Sequence, residues 1–186
     1  MQCNKDIIVC LVGPSGVGKT TVAFDLEKKY EYNVIKSFTT RPPRYLGEEG
    51  HTFVEKSCWE DIEVDFDADV IAYSEYNGHC YWATREQYRG KGISIYVIDV
   101  PGVEMLRKSV KDAEIIVIAL WADEETRFHR LVKRGDSLDA IEDRLLFDDD
   151  AFAIIPSDYT IDANKDVDIV AKRVNKCIFM SLNQTK

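Results

Sequence analysis

Cysteine, histidine and long apolar runs are all scarce in this sequence, and each scarcity removes a class of function. The five cysteines, Cys3, Cys10, Cys58, Cys80 and Cys177, are odd in number and scattered, with no CxxC pair and no histidine at zinc-ligand spacing. A disulfide framework and a zinc module are thereby disfavoured, and reduced thiols in a cytoplasmic protein fit best. The apolar run near the start, Ile7 to Val12, has six residues. It is too short for a signal-peptide core or a membrane span, so the expectation is a chain that is neither exported nor membrane-bound. Positive charge is also short: 24 Lys and Arg against 33 Asp and Glu leave a formal net charge of −9. That charge repels nucleic acids and anionic lipids at long range. Any phosphate the protein binds must therefore meet a local basic pocket.

What is present is enough for a folded core, with 45% hydrophobic residues in 186. Apolar runs rich in β-branched residues recur at Ile7 to Val12, Val34 to Phe38, Ile93 to Ile98 and Ile115 to Leu120. Helical patterns occupy Thr20 to Tyr30, the stretch after Pro101, Asp123 to Arg134, Ser137 to Phe147 and Asp166 to Phe179. The alternation predicts an α/β protein with a parallel sheet. Between Thr39 and about Arg89 the chain is richer in Gly, Pro, Tyr and Trp, with short strand-like pieces at His51 to Val54 and Val70 to Tyr76. That stretch reads as an inserted lobe. The acidic run Asp148 to Asp150 reads as a solvated helix end.

Directly after the first predicted strand comes GPSGVGKT, Gly13 to Thr20, which satisfies GxxxxGK[ST] and runs into an amphipathic helix. Glycines let such a loop turn with its N–H groups inward, and the helix N-terminus adds positive potential. Lys19 is placed to reach the β- and γ-phosphates of a nucleotide, and Thr20 to hold Mg²⁺. Pro14, Ser15, Gly16, Val17, Gly18 and Thr21 complete the candidate nucleotide-binding loop, for ATP or GTP, which by itself does not choose among kinase, GTPase and ATPase.

A second basic element follows in SFTTRPPRYLGEEGHTF, Ser37 to Phe53, where two prolines stiffen the backbone between Arg41 and Arg44. Guanidinium groups suit bidentate recognition of phosphate, and nearby hydroxyls add donors. Alone, two such arginines are more often solvated surface; beside a phosphate-binding loop they point to a phosphorylated second substrate. Farther on, Arg127, Arg130 and Arg134 share one face of a predicted helix, with Arg144 on the next. Arg127 reads as solvated.

GPSGVGKT followed by SFTTRPPRYLGEEGHTF resembles the guanylate kinase family, with its GPSGxGK[ST] loop and SxTTRxPRxGE segment. The resemblance runs from about Ile7 to Asn164 and takes in an NGxxY-like segment at Asn77 to Tyr81, IDVPGV at Ile98 to Val103, and RLVKRGD at Arg130 to Asp136. It implies a three-layer P-loop kinase fold with an inserted acceptor-binding lobe and a helical lid. The matching boundaries are a core of about 1–36, 93–122 and 157–186, a lobe of about 37–90 and a lid of about 123–150. By position it implies Ser37, Arg41, Arg44 and Tyr81 as acceptor ligands and Asp99 as an acidic group near base and metal; His51, which departs from the pattern, is a further candidate donor to the acceptor phosphate. Asp99 is equally suited to cap a helix, and Tyr81 to pack in the lobe. Arg130 is implied at the ATP, and Lys19, Arg41, Arg134 and Arg144 as the cations that stabilise the transferring phosphoryl group.

The family's pattern is broken where the base is read. Members that phosphorylate GMP usually place a Glu nine residues before the tyrosine matched by Tyr81, and here that position is Ala72. Glu75 is the candidate replacement. His51 stands where the family has Tyr, and Trp82 and Ala83 where it has Gly and Ser. The expected reaction is ATP-dependent and Mg²⁺-assisted phosphorylation of GMP or dGMP by a monomer or homodimer. The alternatives are another acceptor, such as a different nucleoside monophosphate or ribose 1,5-bisphosphate, and a non-catalytic binding module.

Overall fold

The structure is a computed structural model that describes residues 5–55, 69–76 and 78–184. Cys3, Cys58 and Asn77, named above, lie outside the described residues. Strand β1 (Asp6–Val12) is buried from Ile7 to Val12, as a central strand covered on both faces must be. It pairs in parallel with β7 (Ile93–Val97) on one side and β8 (Ala113–Trp121) on the other. β2 (Asn33–Ile35) and β9 (Tyr159–Asp162) extend the parallel sheet outward, in the order β2-β7-β1-β8-β9.

Alternation along β1 divides the core in two. Ile7, Val9 and Leu11 pack with Val22, Ala23 and Leu26 of α1 (Lys19–Tyr30) and Val170, Val174 and Ile178 of α5 (Val167–Gln184). Ile8, Cys10 and Val12 face the other way, toward Val103 and Leu106 of α2 (Val100–Ser109). The result is a three-layer α/β arrangement. Among the described residues no helix is long and apolar enough to cross a membrane.

A second sheet of four strands has the order β4-β3-β6-β5, from β3 (Ser37–Thr39), β4 (His51–Phe53), β5 (Val70–Tyr76) and β6 (His79–Thr84). The apolar run Val34 to Phe38, read as one strand, divides at Lys36: its first half joins the five-stranded sheet and its second half the four-stranded one. Periodicity cannot reveal a strand that changes partners.

Two further helices follow β8. Helix α3 (Glu124–Arg134) is capped by Asp123, which accepts from Thr126 N at 2.7 Å, and is closed by Gly135 in the left-handed conformation at φ +94°. Helix α4 (Leu138–Ala151) starts on a Ser137 cap. The Gly135 turn puts Arg134 in the last turn of α3, where its charge suits the helix dipole.

Candidate active site

The P-loop leaves β1 at Gly13 and enters α1 through Gly18, which sits at φ +101° as the N-cap. Having no side chain, Gly18 leaves the N–H groups of the first turn of α1 without a side-chain cap and open to a phosphate. Gly13 is required by space, since a Cβ there would stand 2.2 Å from the carbonyl oxygen of Leu120.

Lys19 folds back on the loop, donating to Gly13 O and to Pro14 O at 2.9 Å. Burial lowers its pKa to about 8; Asp148 opposes the shift, and Arg127, Arg134 and Arg44 add to it. Ser15 through Thr21 line a cavity of about 890 Å³ with Arg44, Glu48, His51, Arg130, Arg134 and Arg144. Pro14 instead faces a smaller cavity behind the loop. Arg130 braces the loop, donating to Val17 O at 3.0 Å and to Ala163 O at 2.8 Å.

Arg134 and Arg144 are held by one carboxylate. Asp136 accepts from Arg134 Nε at 2.8 Å and lies 3.6 Å from Arg144 Nε. The hydrogen bond from Arg134 holds the Asp136 carboxyl below its ordinary range, in spite of partial burial. Arg44 lies in the same field. Burial and the charges of Arg41, Arg134 and Arg144 bring its pKa down to about 10. The loop after β3 and the helices after β8, far apart in sequence, thus present their guanidinium groups to one space.

Arg41 is buried. Its Nη2 and Nη1 reach Glu48 at 2.8 and 3.1 Å, its guanidinium stands 5.3 Å from the Phe53 ring centre, and the Tyr81 hydroxyl lies beside it. Its Nε is buried with no hydrogen-bond partner among the described residues. Ser37 Oγ lies 2.9 Å from His51 Nδ1, and the His51 ring meets Tyr81 edge-on at 5.6 Å. Burial, together with Arg41 and Arg44, lowers the His51 pKa to about 4. Burial therefore favours the neutral imidazole, which keeps one N–H to donate.

Two other candidates stand apart. Asp99 caps α2, its Oδ1 accepting from Gly102 N at 2.8 Å, so the capping role is the one observed. Glu75 is corrected by register. Ser74 and Thr39 pair with Tyr81, whereas Glu75 pairs with Cys80. Side chains alternate along a strand, so Glu75 projects from the face opposite Tyr81 and there accepts from Tyr73 OH at 2.6 Å. A one-residue offset in register is enough to remove it from the face that Tyr81 occupies.

Sequence reasoning missed Glu48 and Asp136, the carboxylates that orient the arginines. Their proximity in sequence, seven residues from Arg41 and two from Arg134, was the available signal. It also misread two residues of helices α3 and α4. Arg127 is 6% exposed and Asp148 is 2% exposed, and they form an ion pair at 3.1 Å.

Comparison with known proteins extends these observations. A family model described as AAA domain matches residues 9–150. The chain is 33% identical over 186 residues to a guanylate kinase of Streptococcus thermophilus, covering 94% of this chain and 87% of the relative. It is 32% identical over 188 residues to a guanylate kinase of Streptococcus pneumoniae, covering 95% and 88%. Among solved structures, the crystal structure of guanylate kinase from Anaplasma phagocytophilum shares the fold, with a TM-score of 0.63 and 21% identity over 96% of this chain and 87% of that one.

Proposed function

This chain belongs to the guanylate kinase family, and from that premise we propose that it transfers the γ-phosphoryl group of ATP to the phosphate of GMP or dGMP, giving ADP and the nucleoside diphosphate. The observation that carries the proposal is the convergence of Lys19, Arg44, Arg134 and Arg144 on one cavity beside the P-loop. Phosphoryl transfer asks a protein chiefly to align two phosphates and to neutralise charge between them, and four cations in one cavity do the second.

In this reading the P-loop N–H groups and Lys19 hold the donor phosphates, and Arg130 buttresses the loop at the nucleotide end. Ser37, Arg41, Arg44 and Tyr81 take the acceptor phosphate, with Arg41 Nε, which has no hydrogen-bond partner among the described residues, supplying a donor already desolvated. No general base is needed. The acceptor oxygen is ionised at neutral pH and becomes a competent nucleophile once aligned.

Thr20 is the proposed protein ligand for Mg²⁺. Thr20 is exposed in the first turn of α1 on the cavity wall, and among the described residues no group of three His, Cys, Asp or Glu side chains could hold an ion. One hydroxyl fits a hard cation that otherwise keeps water and phosphate oxygens. Bound there, Mg²⁺ would neutralise charge on the donor phosphates.

The organisation proposed is a core of about 1–36, 93–122 and 157–186, an acceptor lobe of about 37–90 and a lid of about 123–150. Free thiols at Cys10, Cys80 and Cys177 support a reducing, cytoplasmic setting. The charge of −9 supports small-molecule partners over nucleic acid or membrane.

One observation favours a second acceptor. Ala72 stands where the family places its base-reading Glu, and Glu75 lies on the wrong face. The fold would then serve another nucleoside monophosphate or ribose 1,5-bisphosphate. The test is ADP release from ATP and Mg²⁺ across GMP, dGMP, AMP, CMP, UMP, dTMP and ribose 1,5-bisphosphate, with Lys19→Ala as control. GMP or dGMP preference lost in Lys19→Ala supports the main reading. Preference for another acceptor selects the second, and no turnover with any acceptor points to a binding module.

A further inference from the structure

Ser15, the third residue of the P-loop, is gripped by the buried ion pair. Its N–H donates to Asp148 Oδ2 at 2.7 Å, and its carbonyl accepts from Arg127 Nε at 3.1 Å. Arg127 Nη2 donates to the same Asp148 oxygen at 3.1 Å, closing a ring of three hydrogen bonds. The two side chains are 7% and 1% exposed and come from different helices, α3 and α4.

Two further contacts tie the same elements to the loop. A Cβ on Gly16 would stand 2.8 Å from Arg127 O, so the loop already touches the α3 backbone. Phe152, at the C-terminal cap of α4, places its ring 5.8 Å from Lys19 Nζ. Behind the loop a cavity of about 290 Å³ is bounded by Pro14, Leu120, Arg127, Asp148 and Phe152.

We propose that Arg127 and Asp148 are positioning residues that clamp the Ser15 peptide groups and so hold the P-loop, with Lys19, in the shape that receives the ATP triphosphate. A buried ion pair is seldom more stable than an apolar pair of similar volume, because both ions must be desolvated. Stability alone therefore gives little reason for a charged pair here. An apolar pair could not bond the N–H and the C=O of one residue at once. The clamp also makes the loop's shape depend on helix α4 being docked. This inference rests on the reading that the P-loop binds ATP.

The test uses the full chain as wild type, Asp148→Ala, Asp148→Asn and the double variant Arg127→Met with Asp148→Leu. Thermal midpoints, ADP affinity by calorimetry and steady-state KM for both substrates are measured. Asp148→Ala, which strands a buried guanidinium, is expected to melt about 10 °C lower, and the double variant to recover most of that loss. Despite its recovered stability, the double variant is expected to bind ADP about 10-fold more weakly and to show a matching rise in KM for ATP, with KM for the acceptor within about twofold. Asp148→Asn, whose amide oxygen still accepts from Ser15 N–H, is expected to keep ADP affinity within about threefold. A stable double variant that binds ADP as wild type does would overturn the proposal and leave the pair a packing feature. Should the double variant not fold, equal ADP affinity in Asp148→Asn and Asp148→Ala overturns it, and retention only in Asp148→Asn supports it. A wild type that binds no ADP would sink the ATP reading itself.

Discussion

Glu48 accepts from both terminal nitrogens of Arg41, and its side chain is only 5% exposed. It also takes the backbone N–H of Arg44 at 2.6 Å and Arg44 Nη1 at 3.1 Å. One carboxylate thus orders both arginines of the proline-stiffened loop before any acceptor arrives. Order established in advance lowers the entropy lost on binding.

The fork geometry of Arg41 makes lysine a poor replacement, because an ammonium cannot bond Glu48 and phosphate with parallel N–H groups. Arg41→Lys is expected to lower kcat/KM for the acceptor about 100-fold, or about 2.7 kcal/mol, with KM for ATP changed less than about twofold. Steady-state kinetics with each substrate varied in turn checks both parts.

Because Glu75 and Tyr81 project from opposite faces of the four-stranded sheet, Glu75→Gln is expected to leave KM and kcat for the acceptor within about twofold. Loss of a charged hydrogen-bond acceptor at a base would weaken binding by about 1.5 to 3 kcal/mol. A rise of 10-fold or more in acceptor KM would contradict the register argument.

At Gly13 the nearest obstacle to a side chain is backbone, the Leu120 carbonyl 2.2 Å from a Cβ. Backbone at the end of a central strand cannot step aside. Gly13→Ala is expected to destabilise the fold by about 3 kcal/mol or more and to abolish turnover, a loss readable in urea titration and in ATP consumption.

His51 gives the protein a pH dependence of known sign. Its folded pKa, about 4, lies below the ordinary value near 6.5, so below pH 6.5 the unfolded chain takes up a proton that the native imidazole refuses. Native stability therefore falls as pH drops from 6.5 toward 4 and is flat above. Wild type is expected to lose about 2 kcal/mol more than His51→Gln between pH 7 and pH 5. Denaturant midpoints at the two pH values measure it; equal losses would refute the neutral, buried imidazole.

The P-loop was legible because its chemistry is local: glycines, Lys19 and the start of α1 lie within eight residues. Helices α1 to α5 were legible for a similar reason, since caps such as Asp123 and Ser137 and the turn at Gly135 announce their ends. Arg127 and Asp148 were read as solvated because their partnership spans 21 residues and two helices. No periodicity carries that signal. The faces of the four-stranded sheet were illegible as well, because which side Glu75 takes depends on pairing between β5 and β6 and not on its spacing from Tyr81. Strand β9, four residues long, has too short a pattern to declare itself.

The division of the chain at Lys36 has a mechanical consequence. The two sheets are linked through Lys36 on one side and through residues 85–92 on the other, and Gln87 of the second link donates to the Lys36 carbonyl at 2.6 Å. Both crossings are therefore pinned at one point, which makes that point the pivot for any rotation of one sheet against the other. Ser37 sits beside the pivot and has almost no lever arm. Arg44 and Glu48, out on the loop, have long ones. In such a rotation Ser37 would move least, and Arg44 and Glu48, joined by their ion pair, would travel together.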